Sequence, residues 1–109
     1  MKTPEGKIKE LVKTLLHEHD IMPASRAAKG TYAKGWYYMP VQNGMGVSGI
    51  PDFIICYQGR FIAVETKAPG KKPTRFQEIQ LAAVSAAGGT ALVVDSEASL
   101  DQLQEVLCR

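Results

Sequence analysis

The dipeptide Gln58-Gly59 separates two apolar runs, Phe53-Ile54-Ile55-Cys56-Tyr57 and Arg60-Phe61-Ile62-Ala63-Val64. A tight turn between β-prone runs reads as an antiparallel hairpin, and the turn sets its register. With Gln58 and Gly59 as the turn, Tyr57 faces Arg60, Cys56 faces Phe61, Ile54 faces Ala63, and Asp52 faces Glu65. Opposed residues of an antiparallel pair share one side of the sheet, with Cβ atoms about 4.5–5.5 Å apart. Lys67, two residues past Glu65, shares that side. Two carboxylates and an ammonium therefore converge at the open end of the hairpin.

Opposed like charges weaken a strand pair, so Asp52 and Glu65 make poor structural partners by themselves. A divalent cation between them removes the conflict, because Mg²⁺ takes carboxylate oxygens together with substrate phosphate. The plainer alternative is a solvated hairpin end carrying a surface Glu-x-Lys pair, and the spacing alone leaves both open.

The rest of the chain reads as one domain over 1–109, enough for a single core without a separate recognition domain. Hydrophobic content of 45% and charged content of 22% argue against disorder. No apolar run reaches the roughly 18 residues of a membrane span, and the Glu5, Lys7, Lys9, Glu10 start has no signal-peptide character. Cys56 and Cys108 stand in no metal spacing and read as a buried strand thiol and a C-terminal thiol, reduced in a cytoplasm.

Thr3 as N-cap and Pro4 at the first helical position open a helix over residues 4–19, with Ile8, Leu11, Val12, Leu15 and Leu16 as its apolar stripe. His17 and His19 are two apart, point in different directions and read as surface histidines rather than a metal pair. Residues 20–35 read as a long connecting loop, and Trp36 to Val41 as a strand. The aromatics of that strand suit core or dimer packing better than base stacking. Gly44-Met45-Gly46-Val47-Ser48-Gly49 matches a dinucleotide-binding pattern in letters only, because it leads into Ile50-Pro51 and a strand, not a helix. Such a loop suits close approach to a nucleic-acid backbone, through Ser48, or a simple tight connection.

Thr74 caps a second helix with Phe76, Ile79, Ala83 and Val84 expected on its buried side and Gly88-Gly89 ending it. Thr90 to Val94 reads as a short buried strand, and Leu100, Leu103, Val106 and Leu107 mark a last amphipathic helix. The predicted order is α-β-β-β-α-β-α, an α/β fold with a mixed sheet flanked by helices. Net charge is only +2, but its distribution is uneven. Lys67, Lys71, Lys72 and Arg75 form an acid-free basic stretch beside the carboxylate end of the hairpin; Arg26, Lys29 and Lys34 form another. Countercharge of this kind suits a phosphate backbone.

Pro51-Asp52, twelve intervening residues and Glu65-Thr66-Lys67 resemble the PD-(D/E)XK nuclease signature. The longer string is more specific. Gly49-Ile50-Pro51-Asp52, Glu65-Thr66-Lys67-Ala68-Pro69-Gly70, Gln77 and Gly88-Gly89 are similar to the VRR-Nuc branch, above all to its small stand-alone phage-type members. The likeness runs from Pro4-Glu5-Gly6-Lys7 to Val94-Asp95.

That resemblance implies a PD-(D/E)XK (restriction-endonuclease-like) core and Mg²⁺- or Mn²⁺-dependent hydrolysis of DNA phosphodiesters. It implies Asp52, Glu65 and the carbonyl of Thr66 as metal ligands, with Glu5 (or Glu10) of the first helix completing the set. Lys67 would orient water or stabilise developing charge, and Gln77 would support the site. Taken from its position alone, Gln77 is an early-helix amide that could bond a phosphate, a water or nothing. Lys71, Lys72, Arg75, Lys34 and Ser48 would grip the backbone without reading sequence. The small relatives further imply a homodimer acting on branched or Holliday-junction DNA, in the cytoplasm of a phage-infected or bacterial host. Two other classes stay open: a catalytically weak nucleic-acid-binding module on this fold, and an assembly subunit that binds neither metal nor DNA.

Overall fold

The computed structural model describes residues 2–109. Gln58 and Gly59 both take positive φ, 52° and 74°, as a two-residue hairpin turn of the type matched to right-handed strand twist requires. They join β3 (Phe53–Tyr57) to β4 (Arg60–Thr66), and the pairs run from Tyr57 opposite Arg60 to Phe53 opposite Val64. The predicted register therefore holds along the whole ladder, and extending it by one residue sets Asp52 opposite Glu65.

This hairpin is the centre of a five-stranded sheet in the order β1-β2-β3-β4-β5. β2 (Gly35–Tyr38) pairs antiparallel with β3, while β1 (Ile21–Pro23) and β5 (Thr90–Val94) add parallel at the two edges. Helix α1 (Pro4–Glu18) starts at a Thr3 cap, and α4 (Glu97–Leu107) at a Ser96 capping box. Their stripes, Ile8, Val12, Leu15 and Leu16 with Leu103, Val106 and Leu107, close over Tyr37, Phe53, Ile55, Ile62, Val64 and Val94 to make the core. Helix α3 (Arg75–Ala86) rests on β5 and β4 over the opposite side of the sheet.

The structure corrects the sequence reading at several places. Residues 20–35 are not all loop, for they hold β1 and the short helix α2 (Ala24–Ala27). A three-residue strand is too short to show alternation, and Ile21 is fixed by pairing with Gly35 and by complete burial, both long-range facts. The strand expected from Trp36 to Val41 ends at Tyr38, ahead of Pro40. Leu11 stays exposed at the margin of the α1 stripe. β5 lies at a sheet edge and only Val94 in it is buried.

Two further corrections concern one side of the sheet. Cys56 is exposed, because it alternates with the core residues Ile55 and Tyr57. No α3 residue is buried, and Phe76, Ile79 and Ala83 are exposed instead of packed. Five strands span about 19 Å, whereas a helix is about 10–12 Å across. One helix over β4 and β5 cannot also cover β2 and β3.

Candidate active site

Asp52 stands one residue before β3, where its side chain extends the ladder that the backbone begins. Its Oδ2 accepts from the Thr66 backbone N–H at 3.0 Å and from the Thr66 hydroxyl at 2.7 Å. In return, the Asp52 N–H donates to Glu65 Oε1 at 3.1 Å. This reciprocal bonding fixes both carboxylates on rigid strand ends. Their other oxygens face ammonium groups: Glu65 Oε2 lies 3.7 Å from Lys67 Nζ, and Asp52 Oδ1 lies 4.0 Å from Lys9 Nζ.

Glu65 is buried to 2% exposure. That burial, and next the charge of Asp52, push its carboxyl up to about 7, while Lys67 and the Asp52 N–H pull partly the other way. Protonated, it also hydrogen-bonds the Asp52 side chain. A carboxyl so unwilling to ionise beside a second carboxylate is the donor set a hard cation relieves. Asp52 and Glu65 fit a divalent metal in that sense, each with one oxygen tied to the protein frame and one free of main-chain donors.

The remaining predicted residues separate into those the fold brings here and those it does not. Thr66 is fully buried and grips Asp52 through its N–H and hydroxyl, a role the sequence did not disclose. Glu5 reaches the site only at second hand, with its Oε2 taking Lys9 Nζ at 3.1 Å. Glu10 pairs with Lys2 and Lys13. Among the described residues no three of His, Cys, Asp and Glu come together as a metal-holding group, so neither Glu5 nor Glu10 completes a three-acid set in this conformation. Lys9 was missed. Its only sequence signal is its place one helical turn after Glu5, and just the fold brings it beside Asp52.

Gln77 is the third residue of α3 and half of a capping box. Its Oε1 accepts from the Thr74 N–H at 2.9 Å while its own N–H donates to Thr74 Oγ1 at 3.2 Å. With its oxygen engaged in the cap, its NH₂ is the donor it has to offer a ligand. Gly49, at φ 84°, lies so close that a Cβ there would sit 2.4 Å from the Phe76 carbonyl. The loop bearing exposed Ser48 is thereby pinned to the start of α3 next to Asp52. Lys71 and Lys72 are exposed in the turn after β4, and Arg75 opens α3.

Lys34 departs from expectation. It precedes Gly35, which pairs with Tyr57 at the turn end of the hairpin, so it stands at the opposite end of the sheet from Asp52. Antiparallel pairing of β2 with β3 is the reason. His17 and His19 hydrogen-bond Tyr37 and Gln104, respectively.

No family model matches the chain. A protein of Acyrthosiphon pisum secondary endosymbiont phage 1, described as "Putative nuclease p44", is 42% identical over 53 residues, which is 48% of this chain. The match spans 57% of that relative's length. A solved structure described as a VRR_NUC domain superposes with a TM-score of 0.66 at 24% identity, covering 95% of this chain and 97% of that one. Among the described residues no helix is long and apolar enough to cross a membrane. Over nearly its whole length, this chain has the fold of a VRR_NUC domain.

Proposed function

We propose that this chain is a nuclease that hydrolyses DNA phosphodiester bonds with Mg²⁺ or Mn²⁺, acting as a homodimer on branched DNA such as four-way junctions. The observation that carries the reading is the paired Asp52 and Glu65 at the open end of the hairpin, with Lys67 3.7 Å from Glu65. The VRR_NUC fold and the phage relative's description support it.

Asp52 and Glu65 would hold the cation, with the Thr66 carbonyl beside them. A bound cation supplies a more acidic water and neutralises charge on the phosphate. Lys67 stabilises charge that develops on the phosphate oxygens. Thr66 keeps Asp52 in one orientation through its two hydrogen bonds. Lys71, Lys72, Arg75 and Ser48 hold the backbone, and the Gln77 NH₂ offers one more donor near the start of α3. Glu5 tunes the site through Lys9 and joins the ligand set only if Lys9 is displaced.

The test incubates the parent, Asp52→Asn and Lys67→Ala with Mg²⁺ or Mn²⁺ and linear, flap, splayed and four-way DNA. Asp52→Asn should abolish cleavage, and Lys67→Ala should slow it about 10²–10³-fold, as for loss of one oriented charge-stabilising group. Circular dichroism confirms that both variants fold. Cleavage by either variant at the parental rate would remove the assignment. Equal rates on linear and branched DNA would remove only the junction preference.

A further inference from the structure

We infer that the open side of the sheet over β2, β3 and β4, with the outer stripe of α3, is the surface on which a second copy of this chain docks. The inference gives a face to the homodimer proposed above and rests on that part of the reading, not on the nuclease chemistry.

The register assigns Trp36, Tyr38, Ile54, Cys56, Phe61 and Ala63 to the side away from the core, with Trp36, Cys56 and Phe61 in one cross-strand row. α3 leaves most of them bare. Trp36 is 41% exposed, Tyr38 45%, Phe61 45%, and on α3 Phe76 62% and Ile79 47%. Trp36 and Tyr38 stack on each other, with ring centroids 6.3 Å apart, and present one flat aromatic surface. Aromatic side chains carry 150–250 Å² each, so these exposures and their aliphatic neighbours leave about 600 Å² of apolar surface uncovered. That is the upper end for a monomer's largest patch. Two such patches together bury about 1,200 Å², where specific interfaces begin.

Two observations favour a second copy over a nucleic acid. Of the seven outward positions on β2–β4 only Glu65, at the carboxylate end, is charged, and it is acidic, whereas phosphate contact needs cations. The surface also carries both halves of a self-complementary fit. Phe61, Ala83, Val84, Ala87 and Gly89 line an apolar groove of about 280 Å³. The Trp36–Tyr38 stack projects from the same side two strands away. A two-fold pairing lets the stack of each copy fill the groove of the other, so the contact forms twice and closes.

The experiment needs neither metal nor DNA, so a failure to cleave DNA leaves it intact. Sedimentation equilibrium should show the parent as a dimer and the Trp36→Glu/Phe61→Glu double variant as a monomer. Phe76→Ser, which alters only the most exposed apolar side chain of the helix, should weaken the dimer and covers the case in which the double variant misfolds. Cys56 provides an internal reporter in a Cys108→Ser background. Its reaction with a maleimide should be slowed about tenfold or more in the dimer relative to the monomeric variant, since a buried thiol is inert. A monomeric parent, a dimer indifferent to all these substitutions, or a Cys56 as reactive in the dimer as in the monomeric variant would each overturn the inference.

Discussion

Glu65 is the residue at which structure and chemistry bear on each other most directly. An unfolded glutamate ionises near 4.5, and in the fold burial beside Asp52 raises this to about 7. Between those values the folded chain holds the proton more tightly than the unfolded one. The stability this contributes is therefore complete below about pH 4.5, falls as pH rises and is gone above about pH 7, a change on the order of 3 kcal/mol. Thermal unfolding followed across that window should show the decline, and Glu65→Gln should flatten it and be more stable than the parent on the alkaline side. Added Mn²⁺ should raise the parent's midpoint most above about pH 7, where Glu65 is ionised, and should leave Glu65→Gln with a smaller rise. Asp52, Glu65 and Lys67 were legible in the sequence because the turn fixes who faces whom. Lys9 was not, because it meets Asp52 across a distance that no local spacing encodes, nor was the Thr66 hydroxyl, because strand alternation assigns Thr66 to the other side from Glu65.

Among elements, the loop from Val41 to Gly49 depends on its junction with α3. Gly49 combines a left-handed φ of 84° with a backbone contact that leaves no room for a Cβ. Gly49→Ala should cost about 2 kcal/mol or more in urea unfolding, from the left-handed conformation and the clash together, and should slow cleavage by shifting the approach to Asp52. Gly46→Ala makes the matched control. It meets nothing within 4 Å and should be neutral or slightly stabilising. The hairpin and the capped helices α1, α3 and α4 could be read from turn chemistry, caps and apolar period. β1 and α2 could not, since Ile21 is a strand residue only through its pairing with Gly35. The apolar stripe of α3 is present in the sequence but its exposure is not: periodicity reports that a helix has an apolar side, not what that side meets.

At the scale of the whole molecule, charge is sorted between the two ends of the sheet. Lys67, Lys71 and Lys72 follow β4 at the carboxylate end, while Lys34 stands at the hairpin-turn end. With Ca²⁺ replacing Mg²⁺, the Lys71→Ala/Lys72→Ala protein should bind DNA more weakly whatever its sequence. The salt dependence should drop by about 0.9 per lost phosphate contact. Lys34→Ala should bind as the parent does, and fluorescence anisotropy over a salt series separates the two. The sequence by itself determined the hairpin, its register, the acidic pair at its open end and the mixed α/β sheet around it, because turns, caps and alternation act between near neighbours in the chain. The tertiary structure alone decided that Lys9 joins Asp52, that Lys34 lies far from it, that Gln77 gives its oxygen to a helix cap, and that Trp36, Cys56 and Phe61 face outward. Those outcomes depend on which surfaces one helix can cover and which strand ends meet, and such long-range geometry leaves no periodic trace in the chain.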